Sequence, residues 1–371
     1  MWAIYLKSLS VINFKNYDEG EFLFSETVNA FTGNNGAGKT NLLDAIHYLS
    51  LCKSFSNPID SQQIKQEKEF FVIQGKFNKS DNEELIAIGV KKNQKKQFKR
   101  NKKEYTRLAD HIGLFPLVMI SPNDISLILE GSEERRKFID NAISQTDNHY
   151  LDELIIYNKT LQNRNASLKN MADAGNFDAT LLEIYDEQLV KCGTKIFEKR
   201  KAFIEVFMPV FNHHYQYISN QNEMVELVYE SQLFDQDFQT LLSNSLRKDR
   251  ILQRTTTGIH KDELVFSIHQ MPLKKFGSQG QQKSFLIALK LAQYAILYEI
   301  KGFKPLLLLD DIFDKLDDHR VKKLMKMVSD EDFGQIFITD TSATRLKAIF
   351  SEIGKLPQIF EIENGKVNEP N

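Results

Sequence analysis

Eight consecutive residues, Gly33-Asn34-Asn35-Gly36-Ala37-Gly38-Lys39-Thr40, carry the sharpest chemistry in this 371-residue chain. They match G-x-x-x-x-G-K-[ST] at every fixed position. The glycines let the backbone turn its N–H groups inward around a phosphate. Lys39 adds a full positive charge, and the Thr40 hydroxyl can reach a Mg²⁺ ion. A β-prone run, Val28 to Thr32, leads into the loop. A helical pattern leads out of it, with Leu42, Leu43, Ile46 and Leu49 on one face. The loop therefore ends on a helix N-terminus, whose dipole attracts anions. A glycine-rich turn matching by chance would need neither the strand nor the helix. The motif assigns the loop to a nucleoside triphosphate and leaves the class of NTPase open.

A pair of carboxylates follows far downstream. Pro305-Leu-Leu-Leu-Leu-Asp-Asp311 has no polar face until its end, the pattern of a parallel strand buried on both sides. Open α/β sheets bind ligands at the C-terminal ends of such strands. Asp310 is the expected Mg²⁺ carboxylate, acting through water alongside Thr40, and Asp311 would polarise the attacking water. Lys39, Asp310 and Asp311 form the expected catalytic set. Read alone, the segment is a core strand followed by a solvated turn. Just upstream, Phe276-Gly-Ser-Gln-Gly-Gln-Gln-Lys283 precedes an apolar helix, Phe285 to Ile300. Ser278 and Gly280 open that helix, so free N–H groups and a hydroxyl make a second phosphate site. The competing reading is an ordinary N-cap with a flexible lead-in.

The elements that must position these groups follow from periodicity. Residues 3–12 and 21–32 read as strands. Phe70–Phe77, Glu83–Lys92 and Gln97–Arg100 read as an antiparallel meander, and Pro116–Ile120 as a buried strand. From Ser132 to about Ser219 apolar residues recur at helical spacing, with Ser132 and Asp147 as N-caps. A turn at Ala174-Gly175-Asn176 separates the second helix from a third, which is expected to run from about Asp178 to Pro209. Strands return at Leu264–Ile268, Pro305–Leu309 and Gln335–Thr339, with a long helix at Gln281–Ile300. The expected organisation is a head over 1–125, an inserted helical arm over 126–250, and the rest of the head over 251–371.

Composition bounds the remainder. A hydrophobic fraction of 42% supports a real core, and a net charge of −2 confines nucleic-acid contact to a local patch. Cys52 and Cys192 show no metal spacing and no disulfide framework. The N-terminal residues do not read as a signal peptide, and no apolar run approaches the ~20 residues a membrane span needs. A cytoplasmic protein with no membrane partner is expected. Lys91 to Arg107 carries nine basic residues against one acid, Glu104. On a β-hairpin this would be a positive ridge for sequence-independent DNA contact through Lys95, Lys96, Lys99 and Arg100. The alternative is a solubilising edge whose lysines block strand aggregation. Arg135, Arg136, Arg247, Arg250 and Arg254 are second candidates. Asn78-Lys-Ser-Asp81 reads as a solvated turn, and His213-His214 lack metal-ligating partners.

The order of P-loop, inserted helices, SQGQQ helix start, carboxylate strand and Asp314-Lys-Leu-Asp317 resembles the ABC-type ATPases, in their SMC/Rad50/RecF branch. SQGQQ in place of LSGGQ, together with a short arm, is similar to the RecF family. So are Asn13-Phe-Lys-Asn-Tyr17, Ser121-Pro-Asn-Asp124, Gly131-Ser-Glu-Glu-Arg-Arg136 and Thr257-Gly-Ile-His-Lys-Asp262. The resemblance covers nearly the whole chain. It implies an α/β ABC-type head, a mixed sheet plus an antiparallel meander, with an inserted α-helical arm. It further implies an ATP-dependent homodimer in which Ser278, Gly280 and Gln281 contact the γ-phosphate held by the other subunit. Lys15 and Asn16 would lie beside the nucleotide, as would His260, and Asp317 would lie in the D-loop. The implied work is replication and recombinational repair at single-strand gaps and duplex junctions. RecR and RecO would be partners, helping load RecA and supporting the SOS response. Asp311 stands where most ABC ATPases have Glu, and Asp340 stands at the switch-histidine position; both imply a slow ATPase used as a timed clamp. An SMC/Rad50-like tether is the alternative, but only roughly 120 residues separate the two ATPase halves. A transporter subunit would need LSGGQ and the switch histidine. A nuclease of the overcoming-lysogenisation-defect type would need a further acidic domain.

Overall fold

The computed structural model describes residues 4–80, 82–219, 223–313, 318–330 and 333–368. Two compact units divide the chain. One holds residues 1–124, 214–221 and 283–371; the other holds 125–213 and 222–282.

The first unit is built on two six-stranded sheets. One is antiparallel, in the order β2-β1-β4-β5-β6-β7. Its strands are β1 (Ile4–Ile12), β2 (Glu19–Leu23), β4 (Phe70–Lys79), β5 (Asn82–Lys91), β6 (Gln97–Arg100) and β7 (Lys103–Glu104). This sheet contains the expected meander. Phe71, Ile73 and Phe77 on β4 and Ile86, Ile88 and Val90 on β5 alternate inward, as one-sided sheets require. The second sheet runs β15-β14-β3-β13-β12-β8. Its members are β3 (Val28–Thr32), β8 (Leu117–Ile120), β12 (Leu306–Leu309), β13 (Ile336–Asp340), β14 (Gln358–Glu363) and β15 (Lys366–Asn368). All pairings are parallel except β14 with β15. Every residue of β3, β8, β12 and β13 is buried.

Helix α1 (Lys39–Leu51) packs against β4 and β5 of one sheet and β8 and β13 of the other. The sequence pattern gives it one apolar face. Sandwiching between two sheets buries Asp44, His47, Tyr48 and Ser50 as well. Buried polar groups must find partners. Ser50 Oγ donates to Phe115 O, and His47 Nδ1 lies 3.0 Å from Lys53 O. Gln335, before β13, reaches β1. Its side chain bonds Leu6 N at 2.7 Å and Leu6 O at 2.8 Å, beside the register shift between Leu6 and Ser8. One side-chain amide thus satisfies both backbone groups of Leu6, next to the bulge. Helices α9 (Asp318–Asp330) and α10 (Ala343–Glu352) complete this unit.

The second unit contains α2 (Ser126–Leu129), α3 (Ser132–Ser144), α4 (Asn148–Ala174) and most of α5 (Ala179–Ser219). It also contains a three-stranded sheet, β11-β10-β9, with β9 (Val225–Glu230), β10 (Glu263–Ile268) and β11 (Met271–Pro272). Helices α6 (Phe238–Leu252) and α7 (Leu273–Phe276) belong here, as does the start of α8 (Gln279–Lys301). Because β9 pairs with β10 along its whole length, this unit extends to Gln282 rather than ending near residue 250.

Two local expectations are corrected. Gly131, not Ser132, is the N-cap of α3. Helix α5 does not stop at Pro209; it continues to Ser219. An internal proline costs roughly 3 kcal/mol, and burial of Phe207 and Phe211 on either side of it offsets that cost. Asp147 does cap α4, accepting from Tyr150 N at 3.1 Å. Gly175, at φ 64°, closes α4 with the left-handed turn its sequence implies.

The core of the second unit is ionic as well as apolar. Arg200 is 2% exposed. It bonds Asp140 Oδ1 and Oδ2 at 3.0 Å, Asp262 Oδ2 at 2.9 Å and Ile259 O at 2.9 Å. Arg164 bonds Asp186 at 2.6 Å and Asp249 at 2.8 Å. Burial raises the Asp262 and Asp186 carboxyls above their usual range, while the arginines pull both back down.

Candidate nucleotide-binding site

Strand β3 delivers the glycine loop to the carboxyl end of the parallel sheet. Gly33, Gly36 and Gly38 take φ of 144°, 81° and 117°, which side chains rarely allow. At Gly33 and Gly38 space forbids them too. A Cβ on Gly33 would sit 2.2 Å from Ile362 O, and one on Gly38 would sit 2.6 Å from Asn16 Nδ2.

A loop that aims its N–H groups at an anion must turn its carbonyls away, and each carbonyl then needs a donor. The structure supplies them. Lys39 Nζ donates to Gly33 O at 2.8 Å and Asn34 O at 3.1 Å. Asn16 Nδ2 donates to Ala37 O at 2.9 Å, joined there by Gly365 N at 2.9 Å. Tyr17 OH donates to Gly38 O at 3.1 Å. Asn41 Nδ2 holds Asn16 Oδ1 at 2.7 Å. Asn16 is therefore a buttress of the loop. Lys15, next to it at φ 52°, is ion-paired with buried Asp44 of α1 and bonds Ser56 Oγ at 2.7 Å.

The carboxylate strand meets the loop. Thr40 Oγ1 donates to Asp310 Oδ1 at 2.9 Å. Thr339, on β13 between β3 and β12, donates to the same oxygen at 2.8 Å and accepts from Asp311 N at 2.8 Å. Burial raises the Asp310 carboxyl, and Asp311 raises it further. Thr339, Thr40 and Lys39 act against that rise. A hydroxyl and a carboxylate oxygen are the hard donors Mg²⁺ takes, and a divalent cation would hold Asp310 ionised. Thr339 was not singled out by sequence, although Ile338-Thr339-Asp340 stands at a strand end. At the switch position, Asp340 is 1% exposed and closed off: Ser342 N donates at 2.6 Å and Arg345 Nε at 3.0 Å.

Ser278, Gly280 and Gln281 belong to the second unit. Ser278 N donates to Gln281 Oε1 at 2.7 Å and Gln281 N donates to Ser278 Oγ at 3.3 Å, a reciprocal capping box at the start of α8. Gln281 Nε2 also bonds Glu223 at 3.0 Å. Ser278 stays exposed. His260 is in the second unit, bonded to Tyr157 OH at 2.8 Å and Thr255 O at 3.2 Å. Burial pushes its pKa down to about 4, so it packs as a neutral ring. Asp317 lies outside the described residues.

The basic ridge divides in two. Lys96 Nζ is drawn inward to Cys52 O at 2.8 Å and Asp60 at 2.9 Å, over the Tyr48 ring. Arg100 Nε bonds Glu84 at 2.8 Å, and that bond raises its pKa above the ordinary value. Lys95, Lys102 and Lys103 are exposed and Lys99 half-buried, on or beside β6 and the edge strand β7. Lys96 and Arg100 are therefore held in ion pairs with Asp60 and Glu84.

A P-loop after one parallel strand and paired carboxylates after another, beside an antiparallel sheet, define a P-loop ATPase head of the ABC type. The sequence profile described as "RecF/RecN/SMC N terminal domain" matches residues 5–367. The DNA replication and repair protein RecF of Flavobacterium johnsoniae is 53% identical, covering 97% of this chain and all of the relative. That of Phocaeicola vulgatus is 50% identical, covering 98% of each. The solved structure described as the recombination mediator protein RecF-ATP in the RecFOR pathway is 34% identical, with a TM-score of 0.90, covering 100% and 98% of the two chains. An Smc head domain from Pyrococcus furiosus, at 17% identity and a TM-score of 0.56, shares the fold. The chain belongs to the RecF family.

Proposed function

We propose that this chain binds ATP with Mg²⁺ at residues 33–40 and Asp310, pairs with a second copy when it does so, and acts on DNA in replication and recombinational repair. The observation that carries this reading is the Thr40–Asp310 bond. It joins the phosphate loop to the carboxylate strand in one site. ATP favours the paired state because it makes contacts to the second copy that are absent in the monomer. Those contacts are assigned to Ser278, Gly280 and Gln281. Hydrolysis by Lys39, Asp310 and Asp311 is the release step, and it is slow. Asp340, neutralised by Arg345, offers no titratable imidazole to the γ-phosphate. Lys15 comes to the nucleotide only by leaving Asp44.

Single-strand gaps and duplex junctions are the assigned DNA targets. RecR and RecO are the assigned partners, with RecA loading and the SOS response downstream, in the cytoplasm. Among the described residues no helix is long and apolar enough to cross a membrane. The tether reading is disfavoured by the arm: α4 has 27 residues, about 40 Å of helix.

Ser278→Arg tests the pairing. Ser278 is exposed, so the variant should fold and bind ATP as a monomer. Light scattering should then show no ATP-dependent association. Normal association would remove Ser278 from the shared site.

The ridge makes a separate prediction. Lys95→Ala with Lys99→Ala should weaken binding to a gapped duplex and lower the log–log salt slope by about two. Anisotropy titrations between roughly 50 and 200 mM salt would measure it. Lys96→Ala should leave the slope alone and lower stability, because it removes the cationic partner of Asp60. An unchanged slope in the double variant would move DNA contact off this hairpin.

A further inference from the structure

One buried hydroxyl at the carboxyl end of the parallel sheet is left over. Ser121 follows β8, is 7% exposed, and its Oγ has no hydrogen-bond partner among the described residues. The buried polar groups around it are engaged. Ser121 N donates to Asp124 Oδ2 at 2.7 Å, and Asp124 Oδ1 pairs with buried Lys290 of α8 at 2.7 Å. The turn is therefore fixed from behind, by an ion pair in the first unit. An unsatisfied buried hydroxyl costs stability unless something bonds it in the working state.

Register says where that hydroxyl lies. Strands β8 and β12 are parallel neighbours, with Ile120 opposite Leu309. Asp310 N donates to Ile120 O at 2.9 Å. The next residues along, Ser121 and Asp310, are therefore counterparts on the same side of adjacent strands, which lie about 4.8 Å apart. Asp310 on that side already holds Thr40. Sheet order and register thus set the spare oxygen on the strand next to Asp310, on the side away from β13.

We propose that Ser121 Oγ is a positioning oxygen of the Mg²⁺ site, bonding a water of the ion's shell and so completing an arc of Thr40, Asp310 and Ser121. The donor chemistry suits this. Mg²⁺ dehydrates reluctantly and keeps several waters, each of which must be held by an outer oxygen. Such outer groups orient the shell without touching the metal. The inference rests on the nucleotide reading above and adds a residue to it.

Ser121→Ala and Ser121→Thr distinguish the two. Binding of a fluorescent ATP analogue is titrated in excess EDTA and again in Mg²⁺, with no turnover needed. The parent should bind more tightly with Mg²⁺. Ser121→Ala should match the parent in EDTA and lose about tenfold of the Mg²⁺-dependent gain, the low end for loss of an outer-shell group. Ser121→Thr, which keeps the hydroxyl, should restore the gain. The alanine variant should be no less heat-stable than the parent, since it removes an unbonded hydroxyl. Full Mg²⁺ dependence in a folded Ser121→Ala protein would overturn the assignment while leaving the nucleotide site standing. A parent indifferent to Mg²⁺ would overturn the Mg²⁺ reading and Ser121 with it.

Discussion

Lys39→Met should reduce the affinity for Mg²⁺-ATP by a hundredfold or more, roughly 3 kcal/mol. The side chain is 4% exposed, so its charge works where solvent screens little. In the structure it bonds two carbonyls of its own loop, and phosphate oxygens are stronger acceptors for an ammonium than neutral carbonyls. Methionine keeps the length and apolar stem and removes only the charge and its donors. At ligand a hundredfold above Kd, ATP should stabilise the parent by about 2.7 kcal/mol. The variant should show almost none of that thermal shift, and no ATP-dependent association. Calorimetric titration checks the first and light scattering the second. Parental affinity in Lys39→Met would detach the glycine loop from nucleotide binding.

Arg200→Met should destabilise the second unit by about 3–5 kcal/mol, the cost of removing one partner from a buried ion pair. The guanidinium spans Asp140 and Asp262. Without it two carboxylates lose this cationic partner, and Asp262 Oδ1 has no hydrogen-bond partner among the described residues. Burial raises the Asp262 carboxyl even with the arginine present. The variant should therefore take up a proton there rather than keep the charge. Asp262→Asn on top of Arg200→Met should recover part of the loss, because it removes the stranded charge. Denaturant unfolding of both variants measures this. Additive losses would mean that the arginine acts by packing alone.

This network was only half legible in sequence. Gly131-to-Arg136 and Thr257-to-Asp262 stood out as pieces of a family pattern, with no indication that Asp262 would close on an arginine in the middle of α5. The expectations from sequence contain neither strand β9 nor helix α6. The pattern around residues 225–230 acquires its meaning only from pairing with β10, across more than thirty residues.

The glycine spacing, the four-leucine strand with its terminal carboxylates, the meander and the helical arm were determined by sequence alone. Each depends on interactions within a few residues: a backbone angle only glycine takes, a period of two or of 3.6, a cap. Tertiary structure decided which charges are free. Lys96 and Arg100 look the same as Lys95 and Lys99 along the chain. Asp60 and Glu84, distant in sequence, hold the first two. It also decided that Thr339 bridges both aspartates and that Ser121 follows the residue paired with Leu309, just before Asp310. These are contacts between strands whose neighbours are set by sheet order, and sheet order is fixed by the burial of whole faces, not by any local run of residues.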